Sequence, residues 1–209
     1  MSKNKNISLA VIKRLPKYHR YLEVLMKNDV DKISSGELGK KIGFTASQIR
    51  QDLNCFGEFG QQGYGYNVAD LYGEISAILG LTKEYKVVVA GAGNIGQAVT
   101  NYPGFSKLGF SIKALFDKNP KLIGIKIKDI EVRDIDTLDA YLKENETHLG
   151  VICVPGRNAQ EVCDIMVRNN VKGIWNFAPV DLSVPEDVVV ENVHLADSLF
   201  TLTYLLNDN

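Results

Sequence analysis

Lys86-Val87-Val88-Val89-Ala90-Gly91-Ala92-Gly93-Asn94-Ile95-Gly96 decides the fold. An apolar run ends in G-x-G-x-x-G, and Asp117 closes the next apolar segment about 20 residues further on, which is the dinucleotide fingerprint in its strand–turn–helix setting. Gly91 permits a tight turn out of the strand, Gly93 lets the backbone approach a pyrophosphate, and Gly96 lets helix pack on strand. The N–H groups that open the helix then face phosphates. Candidate cofactor-binding residues are therefore Gly91, Ala92, Gly93, Asn94, Ile95, Gly96 and Asp117. A carboxylate at Asp117 accepts from a free ribose 2′-OH and repels a 2′-phosphate, which favours NAD and NADH over the phosphorylated cofactors. Lys118 follows at once and tempers that preference.

Outward from the fingerprint, Lys86–Ala90 reads as a strand, Gly96–Tyr102 as a helix, and Phe110–Phe116 as a strand ending on Asp117. Ile135–Asn145 reads as helix, Leu149–Val154 as buried strand, Ala159–Asn169 as helix and Gly173–Phe177 as strand. Such alternation predicts an α/β, Rossmann-like parallel sheet. Val154 and Pro155, where the buried strand ends, join the candidate cofactor contacts. Catalytic residues are wanting. No Tyr has a Lys four residues later, His148 precedes a buried strand, and only 32 residues follow Phe177, too few for a substrate domain. The block is expected to hold a dinucleotide without using it, so no catalytic residue and no metal site is assigned.

The first half of the chain is of another kind. Residues 1–53 hold 11 Lys and Arg against 5 Asp and Glu, or +6, while residues 54–209 hold 13 against 20, or −7. A basic block beside an acidic remainder predicts a polyanion partner for the former. Ser8–Leu15 and Pro16–Lys27 read as helix, with Pro16 in the first turn of the second segment. Ser34-x-x-Glu37 and Thr45-x-x-Gln48 are successive capping boxes, and Gly43 marks the corner between two short helices, a helix-turn-helix. Thr45, Ser47, Gln48, Arg50 and Gln51 project from the Ile49/Leu53 face toward a major groove, where Arg reads guanine and Gln reads adenine. Lys13 and Lys17 suit phosphates. Phe56 to Tyr66 alternates glycine and aromatic residues as a winged-helix hairpin would, against a plainer reading as a Gly-rich linker. Asn67–Gly80 reads as a connecting helix. The expected domains are 1–80, a winged-helix DNA-binding domain; 81–194, a Rossmann domain binding NAD(H); and 195–209, a C-terminal helix.

That last helix carries Leu195, Leu199, Leu202 and Leu206 with Phe200, Tyr204 and Leu205 around much of its girth, so a second subunit is its expected cover. Cys55, Cys153 and Cys163 share no C-x-x-C spacing and read as reduced thiols. With no signal-like h-region and no membrane-length apolar run, the expected location is the cytoplasm, with no membrane partner.

Together these residues resemble the bacterial redox-sensing transcriptional repressors of the Rex family. The resemblance rests on Lys13-Arg14-Leu15-Pro16 with Tyr18 and Tyr21, Gln48-Ile49-Arg50-Gln51-Asp52-Leu53, Phe56-Gly57-Glu58-Phe59-Gly60 and Gly63-Tyr64-Gly65-Tyr66-Asn67-Val68. It continues through the fingerprint, Asn101-Tyr102-Pro103-Gly104-Phe105, Asn176-Phe177-Ala178-Pro179 and Val190-Glu191-Asn192-Val193. It implies a homodimeric repressor that binds an inverted-repeat operator in double-stranded DNA and leaves it when NADH replaces NAD. By the same resemblance the C-terminal helices are exchanged between subunits. Tyr102 and Leu195 would then lie near the nicotinamide, and Arg14 would couple the DNA-binding domain to cofactor state. Many members carry a basic pair in the wing, where this chain has Gln61-Gln62, and Asn-Val-Asp-Leu where this chain has Asn192-Val193-His194-Leu195, which places His194 at the coupling position. Two other readings compete: an NAD-dependent oxidoreductase with an accessory N-terminal domain, and a coenzyme A scaffold, against which Asp117 argues.

Overall fold

A computed structural model describes residues 7–57, 59 and 65–208. The chain divides into two compact units, Met1–Lys83 and Glu84–Asn209.

In the first unit, α1 (Leu9–Lys27) is followed by β1 (Lys32–Ile33), α2 (Ser35–Ile42), α3 (Ala46–Asn54), β2 (Tyr66–Asn67) and α4 (Val68–Ile78). Ser8 caps α1, which runs unbroken through Pro16, so the expected two segments are one helix. The proline removes one donor in mid-helix. The carbonyl it leaves is that of Ile12, on an exposed stretch where water can replace the lost bond. Ser34 and Glu37 form the complete capping box, and Gly43 closes α2 in the left-handed region with φ 79°. A Cβ on Gly39 would lie 2.3 Å from the Phe44 carbonyl oxygen, so this glycine lets the turn cross closely over α2. Leu15, Tyr18, Leu22, Leu38, Ile49, Leu53, Val68 and Ile75 form the core, which clamps α3 onto α1 and α4. β1 and β2 pair antiparallel. Most of the anticipated wing, Gln61 and Gln62 included, lies outside the described residues.

The second unit holds β3 (Tyr85–Ala90), α5 (Asn94–Asn101), α6 (Gly104–Lys107), β4 (Phe110–Asp117), β5 (Lys126–Ile127), β6 (Ile130–Asp134), α7 (Leu138–Glu144), β7 (Leu149–Ile152), α8 (Gly156–Arg168), β8 (Gly173–Asn176), β9 (Val189–Asn192) and α9 (Leu195–Asn207). The sheet runs β5-β6-β4-β3-β7-β8-β9. All neighbours pair parallel except β5 with β6. Without the β5 edge this is the doubly wound order 3-2-1-4-5-6, whose direction reverses between β3 and β7, where such folds bind ligands beyond the strand ends. Alternate residues of β3 serve different layers. Val88 and Ala90 join the core under α7 and α8, while Val87 and Val89 face α5. β5, β6 and β9 are short or exposed strands with too little apolar pattern to stand out in sequence. Among the described residues, no helix is long and apolar enough to cross a membrane.

Candidate dinucleotide cleft and nucleic-acid interface

The fingerprint turn joins β3 to α5 at the switch point. Gly91 adopts φ 101°, and a Cβ there would lie 2.5 Å from the Cys153 carbonyl oxygen at the end of β7. A Cβ on Gly96 would lie 1.7 Å from the Gly91 carbonyl oxygen. Gly93 is different, because nothing stands within 4 Å of its missing Cβ. No side chain caps α5, so the amides of its first turn open onto that empty space. An opening beside uncapped helix amides fits a pyrophosphate. Asp117 Oδ2 accepts from the Ala92 N–H at 2.6 Å and Oδ1 from the Asn119 N–H at 2.7 Å. The carboxylate is thus fixed beside the turn, and an ionised carboxylate has about four acceptor positions, two of which these bonds leave for hydroxyls.

A cleft of about 1110 Å³ extends from this turn along the ends of the strands. Gly91, Gly93, Ile95, Asp117, Lys118, Val154 and Pro155 all line it. Ala92, Asn94 and Gly96 belong to the same turn. Tyr102 is not brought there. It ends α5, at the opposite end of the helix from the fingerprint turn, with its exposed ring 4.7 Å from that of Phe105. Phe177, Pro179, Ile135, Ile165 and Arg168 were not foreseen as lining residues, because they come from strand ends and helices remote in sequence. Burial pushes the Cys153 thiol, which also lines the cleft, up to about 12, so it is not a reactive thiolate. Among the described residues, no group of three His, Cys, Asp or Glu could hold a metal.

In the first unit, Thr45 caps α3 by accepting from the Gln48 N–H at 3.1 Å. The second capping box is incomplete, since the Gln48 side chain turns inward and donates to Asp52 Oδ1 at 2.8 Å. The charge-assisted bond to a carboxylate one turn on holds the Gln48 amide away from the cap N–H. Asp52 is 1% exposed. It also receives Arg14 Nε at 2.6 Å and Tyr18 OH at 2.5 Å on Oδ2, and Arg14 Nη2 at 2.8 Å on Oδ1. Burial works to raise the Asp52 carboxyl, but the bonds from Arg14, Tyr18 and Gln48 outweigh it and hold the group ionised below its usual range. Arg14, which the resemblance assigns to coupling with cofactor state, is engaged inside its own unit. The sequence sign of this cluster was an acidic residue, Asp52, next to Leu53 on the apolar side of an otherwise polar helix. Ser47, Arg50 and Gln51 stand exposed on α3, Arg50 Nη1 donating to Ser35 Oγ at 2.9 Å. Lys13 and Lys17 lie on the exposed side of α1, with the Lys17 ammonium 5.1 Å from the Phe44 ring centre.

With both sites described, the comparisons with known proteins are direct. Residues 6–54 match the family described as "Putative DNA-binding protein N-terminus", and residues 82–180 match "CoA binding domain". A redox-sensing transcriptional repressor Rex of Clostridium tetani is 70% identical over 208 residues, covering 100% of this chain and 99% of its own. The chain belongs to the Rex family. The Rex protein of Clostridium kluyveri is 71% identical, with 100% and 99% coverage. A solved Rex-type repressor, RSP, in complex with β-NAD⁺ and operator DNA matches at TM-score 0.91 and 58% identity, covering 97% of this chain and 93% of that one. RSP in complex with β-NADH matches at TM-score 0.91 and 54% identity, covering 98% and 96%. The expected family and the α/β fold with its N-terminal DNA-binding domain are therefore both met.

Two Rex-related expectations concern the last helix. His194 occupies the N-cap of α9 without a side-chain cap bond, and Leu195 opens the helix, 62% exposed. Every large apolar residue of α9 faces outward on the single chain, from Leu195 to Leu206. A second concavity of about 330 Å³ on the α5 side of the sheet is walled by apolar residues including Val87, Phe105, Phe110, Val151 and Trp175.

Proposed function

We propose that this chain is a homodimeric transcriptional repressor that binds an inverted-repeat operator in double-stranded DNA and releases it when NADH replaces NAD. One observation carries the reading: a repressor 58% identical, superposing over 97% of this chain, is solved with β-NAD⁺ and operator DNA together. Gly91 to Gly96 hold the pyrophosphate, Asp117 takes the adenosine ribose, and Lys118, Val154 and Pro155 complete that wall. Ser47, Gln48, Arg50 and Gln51 of α3 meet base edges, Thr45 anchors the helix start, and Lys13 and Lys17 contact the backbone. Arg14, His194, Leu195 and Tyr102 form the link between cofactor state and DNA-binding geometry, and the working divisions are 1–80, 81–194 and 195–209. The outward apolar face of α9 and the apolar concavity beside α5 support a second copy as partner.

Phe177 and Pro179 give one side of the cleft an apolar wall. Such a wall penalises a positively charged nicotinamide more than the neutral reduced ring. The chain is a regulator, in line with a relative 70% identical over 208 residues that is named a transcriptional repressor, and as a DNA-bound regulator it works in the cytoplasm. The test is separate titration of NADH and NAD into a preformed protein–operator complex. Release by NADH and retention with NAD is expected; release by both, or turnover of a carbonyl substrate with the complex intact, overturns the reading.

A further inference from the structure

We infer that Asp52 is a positioning residue for sequence reading, fixing the Gln48 amide so that Gln48 selects adenine. This rests on the proposal that α3 lies in a DNA groove, and it goes beyond it by assigning one side chain's base preference to a buried neighbour. The argument is a count of lone pairs. Asp52 Oδ2 receives Arg14 Nε and Tyr18 OH, and Oδ1 receives Arg14 Nη2 and Gln48 Nε2. Those four donors fill the four acceptor positions of a carboxylate. The bidentate Arg14 fork fixes the carboxylate plane, so the Gln48 position is not negotiable. A Gln amide on a surface helix ordinarily flips freely between two orientations. Here the flipped form would set Oε1 against Oδ1 of a buried anion, so only one orientation survives. The bond to Asp52 leaves Gln48 its Oε1 and one N–H, held in one orientation at the third position of α3. That pairing of acceptor beside donor complements N6–H and N7 of adenine in the major groove, and the N-terminal end of a recognition helix is where base edges are met.

The experiment uses the full-length protein and duplexes with randomised half-sites, from which the unmodified chain selects its preferred sequence. Affinities are then measured against that duplex with each base pair substituted in turn. Gln48→Ala should flatten the preference at one A·T pair per half-site by roughly 5- to 150-fold and leave the other positions as they were. Asp52→Asn should flatten the same position, and should add nothing in a Gln48→Ala background. Gln48→Glu keeps the side chain's shape but sets an oxygen against Asp52 Oδ1 where Nε2 donates, so the anchor breaks and the adenine preference at that position should be lost. This variant tests the idea even if Asp52→Asn does not fold. Unchanged discrimination at every pair in Gln48→Ala, or an Asp52→Asn effect that persists in full without Gln48, overturns the inference. An unmodified protein that selects no sequence at all overturns instead the reading of α3 as a DNA-binding helix.

Discussion

At the scale of single residues, the glycines of the fingerprint are the least replaceable. Gly96→Ala would drive a methyl group onto the Gly91 carbonyl, 1.7 Å from the built position, against backbone that cannot rotate away. A loss of at least about 1–3 kcal/mol is expected from overpacking, and the turn that faces the cofactor would move with it. Thermal unfolding and an NADH fluorescence titration check both halves of that expectation. Asp117→Ala should narrow the gap between NADH and NADPH, because it removes the ribose acceptor and the repulsion of a 2′-phosphate together. Equal affinity for the two in the unmodified protein would contradict the role of Asp117. His19 sets a pH dependence. Its ring stacks on Tyr72 at 4.5 Å and shares a hydrogen bond with Ser76, and burial pushes it below the ordinary histidine range against the opposing pull of Glu23. A group depressed in the folded state contributes stability that is fully present above its unfolded value of ~6.5 and lost as pH falls through the folded one. The first unit should weaken progressively below that pH, and His19→Gln should flatten the slope in urea titrations run at several pH values.

Among elements, α9 makes the sharpest prediction. Leu199, Phe200, Leu202, Tyr204, Leu205 and Leu206 are each more than half exposed on one chain. Burying one such side chain is worth ~1.5–3 kcal/mol, so the helix is not stable facing water. Deleting residues 195–209 should give monomer or aggregate in sedimentation, with operator affinity lost because a lone chain covers one half-site. The elements also show what sequence can and cannot disclose. The fingerprint strand, its helix and the strand ending on Asp117 were legible because glycine spacing and an apolar run each have one physical meaning. Ser34 and Glu37 announced α2 in the same way. The incomplete second capping box was not legible, since only the fold puts Asp52 where it outbids the cap for Gln48. Pro16 suggested a helix start, yet packing of Leu15, Tyr18 and Leu22 into one core carried α1 across it. The far wall of the cleft was equally hidden, as Phe177, Pro179 and Arg168 converge only when the sheet is assembled.

For the whole molecule, the switch is a matter of differential affinity. Moving the protein from ~99% operator-competent to ~99% released requires the reduced cofactor to favour the released form by about 10⁴-fold, or 5.5 kcal/mol, and a smaller ratio gives a graded response. Small-angle scattering with each cofactor should give two distinguishable curves; identical curves accompanied by release under NADH would exclude a change of domain arrangement as the cause.

The outward leucines of α9 have one more consequence, which is a matter of mass action. If the hydrophobic contact that covers α9 comes from another molecule, the quantity of protein present enters its stability directly. Each tenfold dilution takes about 1.4 kcal/mol from the associated state. Melting temperature should therefore climb with concentration, and sufficient dilution would leave the helix uncovered. Abundance would then act as a second input, setting how much of the chain is able to respond to redox state at all.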